Sequence, residues 1–379
     1  MRRYDCLLAL AELCGDGLVV TNLANTATEW RAARPSDGNL YAVGMGMVTP
    51  YALGLALALP QRHVVALDGD GGILFDPSVL GTLAQEGARN LTVVVFDNKG
   101  YVSTGPLPTV GSQTLGGLSL VQLARAYGLD DAVEVDSIAA LRDAFAARPR
   151  VIVAHTDTGQ GFVGPLDMDL KENKYRFIRH IERLEGRTIV KPSAKEHGAP
   201  PPPDAPSAPV TGAADLAEVL HQGLVEAGID FAVGLPCSGF SAVQGRLMAD
   251  AGIRYIPVAH EGTGLGLCAG AWLGGRRPVA LIENFGVMAS VYHLLRGHLS
   301  YGIPTLIIAE YRGDTGDQEF FAEGGEVTED LLRAIRINHR RVDSLPALKP
   351  AIRDALRWMD GMLRPFALLP AFELTRKRA

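Results

Sequence analysis

Short, continuously apolar runs alternate with helix-spaced segments along most of the chain. LVVTNL at 18–23, HVVALD at 63–68, LTVVVFD at 91–97, AVEVD at 132–136 and RVIVAH at 150–155 read as strands. PYALGLALAL, SVLGTLAQEGAR, SLVQLARAYG and SIAALRDAFAAR, between them, carry the spacing of helices. The pattern resumes with AADLAEVLHQGLVEAG, FAVGLP, SAVQGRLMADAG, RYIPVA, GLGLCAGAWLGG, PVALIE, VMASVYHLLRGHL and PTLIIAEY. Strands that are apolar at every position are buried on both faces, and their alternation with helices predicts an α/β fold with a doubly wound parallel sheet in each half. The break between the two series, KPSAKEHGAPPPPDAPSAPVTG at 191–212, holds seven of the 23 prolines and almost no large apolar residue. It reads as a linker between domains 1–190 and 213–379. A tether of this length spans about 26 Å as a flexible coil and about 68 Å when stiff, so it permits the halves to pair within one chain or between two.

Composition narrows the classes of function. A length of 379 residues suits two domains. The net charge is −6 and the basic residues form no stripe, which argues against nucleic acid or an anionic membrane surface and favours small-molecule chemistry. Cys6, Cys14, Cys237 and Cys268 form no CxxC pair, no zinc spacing and no disulfide framework, a usage that fits a reducing cytoplasm. The N-terminal MRRYDCLLALAELC is broken by Asp5 and Glu12 and reads as an amphipathic helix rather than a signal peptide. The longest apolar run, Val43 to Leu59, contains Pro50 and falls short of a span of about 20 residues. Glycine stands out: 43 residues, about 11% against a usual ~7%. Ligands on doubly wound sheets sit beyond the carboxyl ends of the strands, where close backbone approach requires glycine.

One such place is Leu67-Asp68-Gly69-Asp70-Gly71-Gly72, directly after an apolar strand. Its glycines let backbone N–H groups approach an anion, and Asp70 offers a hard oxygen ligand to a divalent cation. Asp97-Asn98 ends the next strand, with 26 residues between Gly71 and Asn98. Neighbouring parallel strands end at one sheet edge, so the Asp70 carboxylate and the Asn98 amide oxygen can share an ion. Alone, an Asp-Gly-rich run of this kind is usually a turn. A calcium EF-hand loop starting at Asp68 fails at its twelfth position, Val79.

Strand, GDG, this spacer, strand and Asn together resemble the cofactor motif of thiamine-diphosphate enzymes, and DNKGYVSTGPLPT after it resembles the matching stretch of the phosphonopyruvate and sulfopyruvate decarboxylases. The resemblance implies two thiamine-diphosphate-binding domains without a middle domain, with thiamine diphosphate and Mg²⁺ as cofactors. It implies Asp70, Asn98 and the carbonyl of Gly100 as metal ligands. Gly69, Gly71, Gly72 and Tyr101 would lie against the cofactor, as would the VGMGM segment through the carbonyl of Val43 and the bulky Met45 under the cofactor's bend.

In the second half, YIPVAHEGTGLGLCAGAWLGG places Glu261 at a strand end before a glycine-rich helix. By resemblance it is the carboxyl group that holds a proton at the cofactor's aminopyrimidine, and burial among VAH, GTG and LCAG is expected to raise its pKa. By residues alone it is also a helix-start carboxylate favoured by the macrodipole. Gly234-Leu-Pro-Cys-Ser238 resembles the GxPCS loop of the same decarboxylases and makes Ser238 a substrate contact; as a plain turn, it would let Ser238 cap a helix. IENFGVMA and YRGDTGD correspond to the family's QNSGLGN and WRG segments, so Glu283, Asn284, Tyr311 and Arg312 are candidates on the substrate side. Arg312 can pair with an anionic substrate or with a carboxylate of the chain itself. Gly264-x-Gly266-x-x-Ala269 followed by Glu283 leaves a dinucleotide-binding oxidoreductase as a rival, although its first glycine stands four residues past the strand end. His293 and His298, five apart on a predicted α-helix, are expected on different faces in core or surface roles.

The order of domains, diphosphate side first, departs from the single-chain phosphonopyruvate decarboxylases. Phe285, Met288 and Ala289 replace smaller or amide residues, and Phe320-Phe321 stand where those enzymes carry Gln-His. A pocket that gains Phe and loses polar groups is less suited to a phosphonate or sulfonate dianion. The expected reaction is non-oxidative decarboxylation of a 2-oxo acid to an aldehyde, with a carboligase as the alternative outcome. The expected assembly is a homodimer or dimer of dimers.

Overall fold

The computed structural model describes residues 1–105, 107–112, 117–190 and 216–376. The predicted linker at 191–212 lies outside them. The first half contains β1 (Leu18–Asn22), β2 (Asn39–Val43), β3 (Val64–Gly69), β4 (Leu91–Asp97), a small antiparallel pair β5 (Gly100–Tyr101) and β6 (Leu107–Pro108), β7 (Val133–Val135) and β8 (Val151–His155). The second half contains β9 (Phe231–Gly234), β10 (Arg254–Pro257), β11 (Pro278–Glu283), β12 (Leu306–Glu310), β13 (Asn338–Val342) and β14 (Phe366–Pro370). Each half builds a six-stranded sheet, in the orders β2-β1-β3-β4-β8-β7 and β10-β9-β11-β12-β14-β13. The two orders are one topology used twice, and every pairing within them is parallel. As the apolar runs predict, β1, β4 and β12 are buried at every position.

Besides the short pair β5 and β6, three strands of the two large sheets escape the apolar-run reading. β13 (NHRRV) is a largely exposed edge strand, β14 (FALLP) is short and ends in proline, and β2 (NLYAV) begins with a buried Asn39 that accepts from Trp30 Nε1. Among the described residues no helix is long and apolar enough to cross a membrane.

The halves meet along two helices, Val48–Ala58 and Glu261–Leu273, and one apolar cluster runs through both. Every residue of the first helix is buried, as is nearly all of the second, which is why neither shows an amphipathic stripe. The helices touch backbone to backbone: a Cβ on Gly54 would collide with the carbonyl oxygen of Leu267, and one on Gly270 with that of Tyr51. The same sequence spacing separates Gly54 from Gly270 and Tyr51 from Leu267, so the contact repeats the internal duplication of the sheets. Around it, Lys174 Nζ donates to the Gly302 carbonyl at 2.8 Å and Tyr301 Oη to that of Tyr41 at 2.5 Å.

Candidate functional site

In a sheet of order β2-β1-β3-β4 the winding reverses between β1 and β3, and the strand ends there leave a crevice. The structure places an open cleft of about 550 Å³ at that point, lined by Asn22 to Thr26 after β1, by Gly69 to Gly72 after β3, by Asn98 and Gly100 to Ser103 after β4, and by Met45 and Arg3. Of the residues expected at the cofactor, Met45, Gly69, Asp70, Gly71, Gly72, Asn98, Gly100 and Tyr101 share this one cleft. Val43 does not line it with its side chain; it is fully buried at the end of β2, opposite Asn22 in register.

Local chemistry explains the shape. The helix Asp70–Phe75 starts immediately after β3, and its first turn has no room for side chains: a Cβ on Gly71 would strike the Tyr101 ring, and one on Gly72 the Asp68 carboxylate. After β4, Lys99 takes φ +60°, which turns the chain back. Gly100 N–H then donates to Asn98 Oδ1 at 2.9 Å. Asp70 Oδ1 accepts from Gly71 N–H at 2.9 Å and its Oδ2 from Thr109 Oγ1 at 3.1 Å. Burial, with Asp97 nearby, pushes the Asp70 carboxyl up to about 6. Asp70, Asn98 and Gly100 thus bring a buried carboxylate, an amide and a backbone carbonyl group to one cleft, hard-oxygen groups of the kind Mg²⁺ takes alongside phosphate and water. Among the described residues no three His, Cys, Asp or Glu side chains converge as a metal cage.

Two features at or behind this cleft had no signal in the apolar pattern. Asn22, Asn25 and Thr26 enter through a β1 end that is irregular in register, with Ala24 and Ala42 both at φ 60°. Non-glycine residues in that region store strain and gather at functional sites. Asp68 is a second buried carboxyl, accepting from Asn22 Nδ2 at 2.6 Å and Gly69 N–H at 2.9 Å; burial pushes it up to about 7.

In the second sheet the substrate-side candidates stand at the carboxyl ends of β9, β11 and β12. Glu283 ends β11 and lies 3.7 Å from Arg312 Nη1. Asn284 is fully buried and saturated: Nδ2 donates to the Arg312 carbonyl and to Thr328 Oγ1, and Oδ1 accepts from Arg312 N–H. Arg312 forks onto Asp317 at 2.7 and 2.9 Å beneath the Phe321 ring, 3.6 Å from its centroid. Of the two partners open to it in sequence, the structure supplies a carboxylate of the chain itself, and the pair is buried. Phe320, Phe321 and Phe285 stack beside it. Tyr311 Oη donates to the Gly325 carbonyl. Ser238 is exposed and does not cap the following helix, whose first residue Ser241 donates from Oγ to the Ser238 carbonyl. Glu310, unremarked in the sequence, is buried at the end of β12 and accepts from Gly239 N–H at 3.1 Å.

Glu261 opens the helix that forms the seam. It is partly rather than fully buried, although residues 262 to 271 behind it are buried. A Cβ on Gly286 would stand 2.5 Å from its Oε1, so the carboxylate lies against the helix Asn284–Ala289. Tyr292 and His293 cross toward the first half: Tyr292 Oη accepts from Met45 N–H at 3.2 Å, and both rings pack on Phe75. The segment His293–Leu299 is a π-helix, not an α-helix. With i→i+5 bonding, His293 and His298 fall near one face, and both are buried; this corrects the expectation of different faces.

A family model described as the C-terminal TPP binding domain of thiamine pyrophosphate enzymes matches residues 13–154. The chain is 31% identical over 156 residues to sulfopyruvate decarboxylase subunit alpha of Methanococcus maripaludis, covering 41% of this chain and 93% of that one. It is 31% identical over 189 residues to subunit beta of the enzyme from Methanothermobacter thermautotrophicus, covering 48% and 96%. Phosphonopyruvate decarboxylase of Streptomyces viridochromogenes is 33% identical over 129 residues, 32% of this chain and 30% of that one. Among solved structures, benzoylformate decarboxylase from Polynucleobacter necessarius aligns over 100% of both chains with TM-score 0.58 at 12% identity. Transketolase from Campylobacter jejuni aligns over 86% of this chain and 59% of that one with TM-score 0.52, also at 12% identity. At such identities these two likenesses concern the fold alone.

Proposed function

This chain belongs to the sulfopyruvate and phosphonopyruvate decarboxylase family of thiamine pyrophosphate enzymes, and on that premise we propose that it is a Mg²⁺-dependent, non-oxidative decarboxylase of a 2-oxo acid, releasing CO₂ and an aldehyde. The observation that carries the reading is the single cleft at the β1/β3 reversal, where Asp70, Asn98 and Gly100 meet a glycine-lined helix start beside Met45. Thiamine diphosphate, when bound, supplies the electron sink that accepts the pair left behind by CO₂. Asp70, Asn98 and the Gly100 carbonyl would hold the ion, and Gly69, Gly71, Gly72 and Tyr101 would bound the diphosphate side. The Val43 carbonyl and Met45 would contact the cofactor's ring end, and Glu261 would hold a proton there. Ser238, Glu283, Asn284 and Arg312 belong to the substrate side. Arg312 acts from inside its fork with Asp317, so it sets the field at Glu283 rather than standing free as an anion hook. The pairing of both halves in one chain supports a site made within the chain, in a protein that self-associates as a homodimer or dimer of dimers.

The test is CO₂ release from a panel of phosphonopyruvate, sulfopyruvate, pyruvate and aromatic 2-oxo acids, with thiamine diphosphate and Mg²⁺, in the presence and absence of an acceptor aldehyde. Release from at least one acid, abolished in Glu261→Gln while Mg²⁺-dependent cofactor binding persists, is the expected result. No release from any acid sinks the decarboxylase reading.

A further inference from the structure

Asp76 closes the short helix that Asp70 opens, and its two carboxylate oxygens serve different halves of the chain. Oδ1 accepts from Ser78 N–H at 3.2 Å and Ser78 Oγ at 2.6 Å, within the first half. Oδ2 is used by the second half: His260 Nδ1 lies 3.1 Å away and Thr263 Oγ1 donates to it. His260 precedes Glu261 and Thr263 follows two residues later, so one oxygen of the first half ties both flanks of Glu261. On another side the turn is walled by His293, 3% exposed, whose ring stands where a Cβ on Gly262 would project and packs edge-on to His260 at 5.5 Å. Among the described residues neither nitrogen of His293 has a hydrogen-bond partner, so it confines the turn by packing and takes no hydrogen bond from it. The seam itself does not depend on Asp76: the apolar helix pair with its glycine crossing, Lys174 on Gly302 and Tyr301 on Tyr41 already join the halves.

We propose that Asp76 is a positioning residue for Glu261, through which the six-residue helix Asp70–Phe75 makes the placement of the acid depend on the half that holds the cofactor's ion. The proposal rests on the reading of Glu261 given above. A carboxylate is suited to the task because it accepts from two donors on one oxygen while the other oxygen anchors it at home. Its ionic partner is His260, and among the described residues the remaining charged or titratable groups facing that imidazole are Glu261 and His293.

The experiment uses the full chain as wild type, Asp76→Ala, Asp76→Asn, the His260→Gln/Thr263→Val pair and Glu261→Gln. Three readouts are taken: thiamine diphosphate affinity at saturating Mg²⁺ by tryptophan fluorescence, near-ultraviolet circular dichroism of the bound aminopyrimidine, and turnover. In Asp76→Ala, turnover falls on the order of 10- to 100-fold, as small misplacements of a catalytic group do. Its dichroism moves toward that of Glu261→Gln while cofactor affinity stays at the wild-type value. Asp76→Asn, which still accepts from Thr263, loses less, and the His260/Thr263 double variant reproduces Asp76→Ala. Wild-type turnover and dichroism in Asp76→Ala overturn the proposal. So does a parallel loss of melting temperature, affinity and turnover in all Asp76 and His260/Thr263 variants, which marks a structural strut. A Glu261→Gln chain with wild-type dichroism and turnover removes the reading of Glu261 itself and the proposal with it, so the two failures are told apart.

Discussion

The hydroxyl of Tyr292, in the second half, accepts a hydrogen bond from the backbone N–H of Met45, 3.2 Å away at the lip of the first half's cleft. Gly44 beside it has no space for a side chain, because a Cβ there would lie 2.8 Å from the same hydroxyl. The seam between the halves therefore shapes the loop that borders the cofactor.

Tyr292→Phe removes one neutral hydrogen bond worth about 1 kcal/mol, which corresponds to about fivefold weaker binding of thiamine diphosphate. Titration calorimetry at fixed Mg²⁺ is the measurement, with little change expected in melting temperature because Phe keeps the ring against Phe75 and His293. Unchanged affinity would detach the Tyr292 contact from the cofactor loop.

Asp70→Asn keeps the size of the side chain and its bond to Thr109 but removes the charge. The Mg²⁺ concentration for half-maximal cofactor binding is expected to rise on the order of 10- to 100-fold, and dialysis against a chelator to release cofactor from the wild type. Cofactor binding that ignores both Mg²⁺ and the substitution would show that the cleft holds something other than an ion-bridged diphosphate.

Gly54→Ala and Gly270→Ala each press a methyl group into a carbonyl of the facing helix. Backbone cannot yield as a side-chain tip does, so each change costs on the order of 1–3 kcal/mol. Thermal unfolding should show a lowered melting temperature for both. Gly245→Ala is the control: it lies in the helix Ser241–Ala249 with nothing within 4 Å, and Ala there should stabilise by about 0.5–1 kcal/mol.

The Asp76–His260 contact sets a pH window. Burial opposes ionisation of Asp76, but the bonds from His260, Ser78 and Thr263 outweigh it and hold the carboxyl at about 2, below its ordinary 3.8. Its contribution, about 2 kcal/mol, is therefore full above pH 3.8 and is lost as the pH falls toward 2. The bond to Asp76 raises the His260 pKa above its ordinary 6.5, so the ionic part is full below 6.5 and is lost as the pH rises through the raised value. The stability difference between wild type and Asp76→Asn should be greatest between about pH 4 and 6.5 and shrink on either side. A pH-independent difference in chemical denaturation would show that His260 carries no charge in the contact.

The depth to which the sequence reads depends on how local each interaction is. The apolar runs 64–68 and 91–97 announce buried parallel strands because a strand covered on both faces has no polar position to spare. Glycines at 71 and 72 announce close approach because a Cβ there meets an aromatic ring or a carboxylate. Asp70 and Asn98 end adjacent strands, so their meeting in one cleft follows from β3 and β4 being neighbours. The edge strand β13, by contrast, faces solvent and carries no apolar signal.

What the chain's residues determined alone is thus the doubly wound architecture of each half and the chemistry at the strand ends, since both rest on patterns a few residues long. Tertiary structure decided the rest. Whether Arg312 meets a substrate or Asp317 depended on a loop five residues on folding back under Phe321. That His293 and His298 share a face depended on a π-helical turn squeezed against the seam. That Asp76 reaches the turn around Glu261 depended on two helices far apart in sequence crossing at Gly54 and Gly270, a contact whose driving force is burial and whose partners no local pattern names.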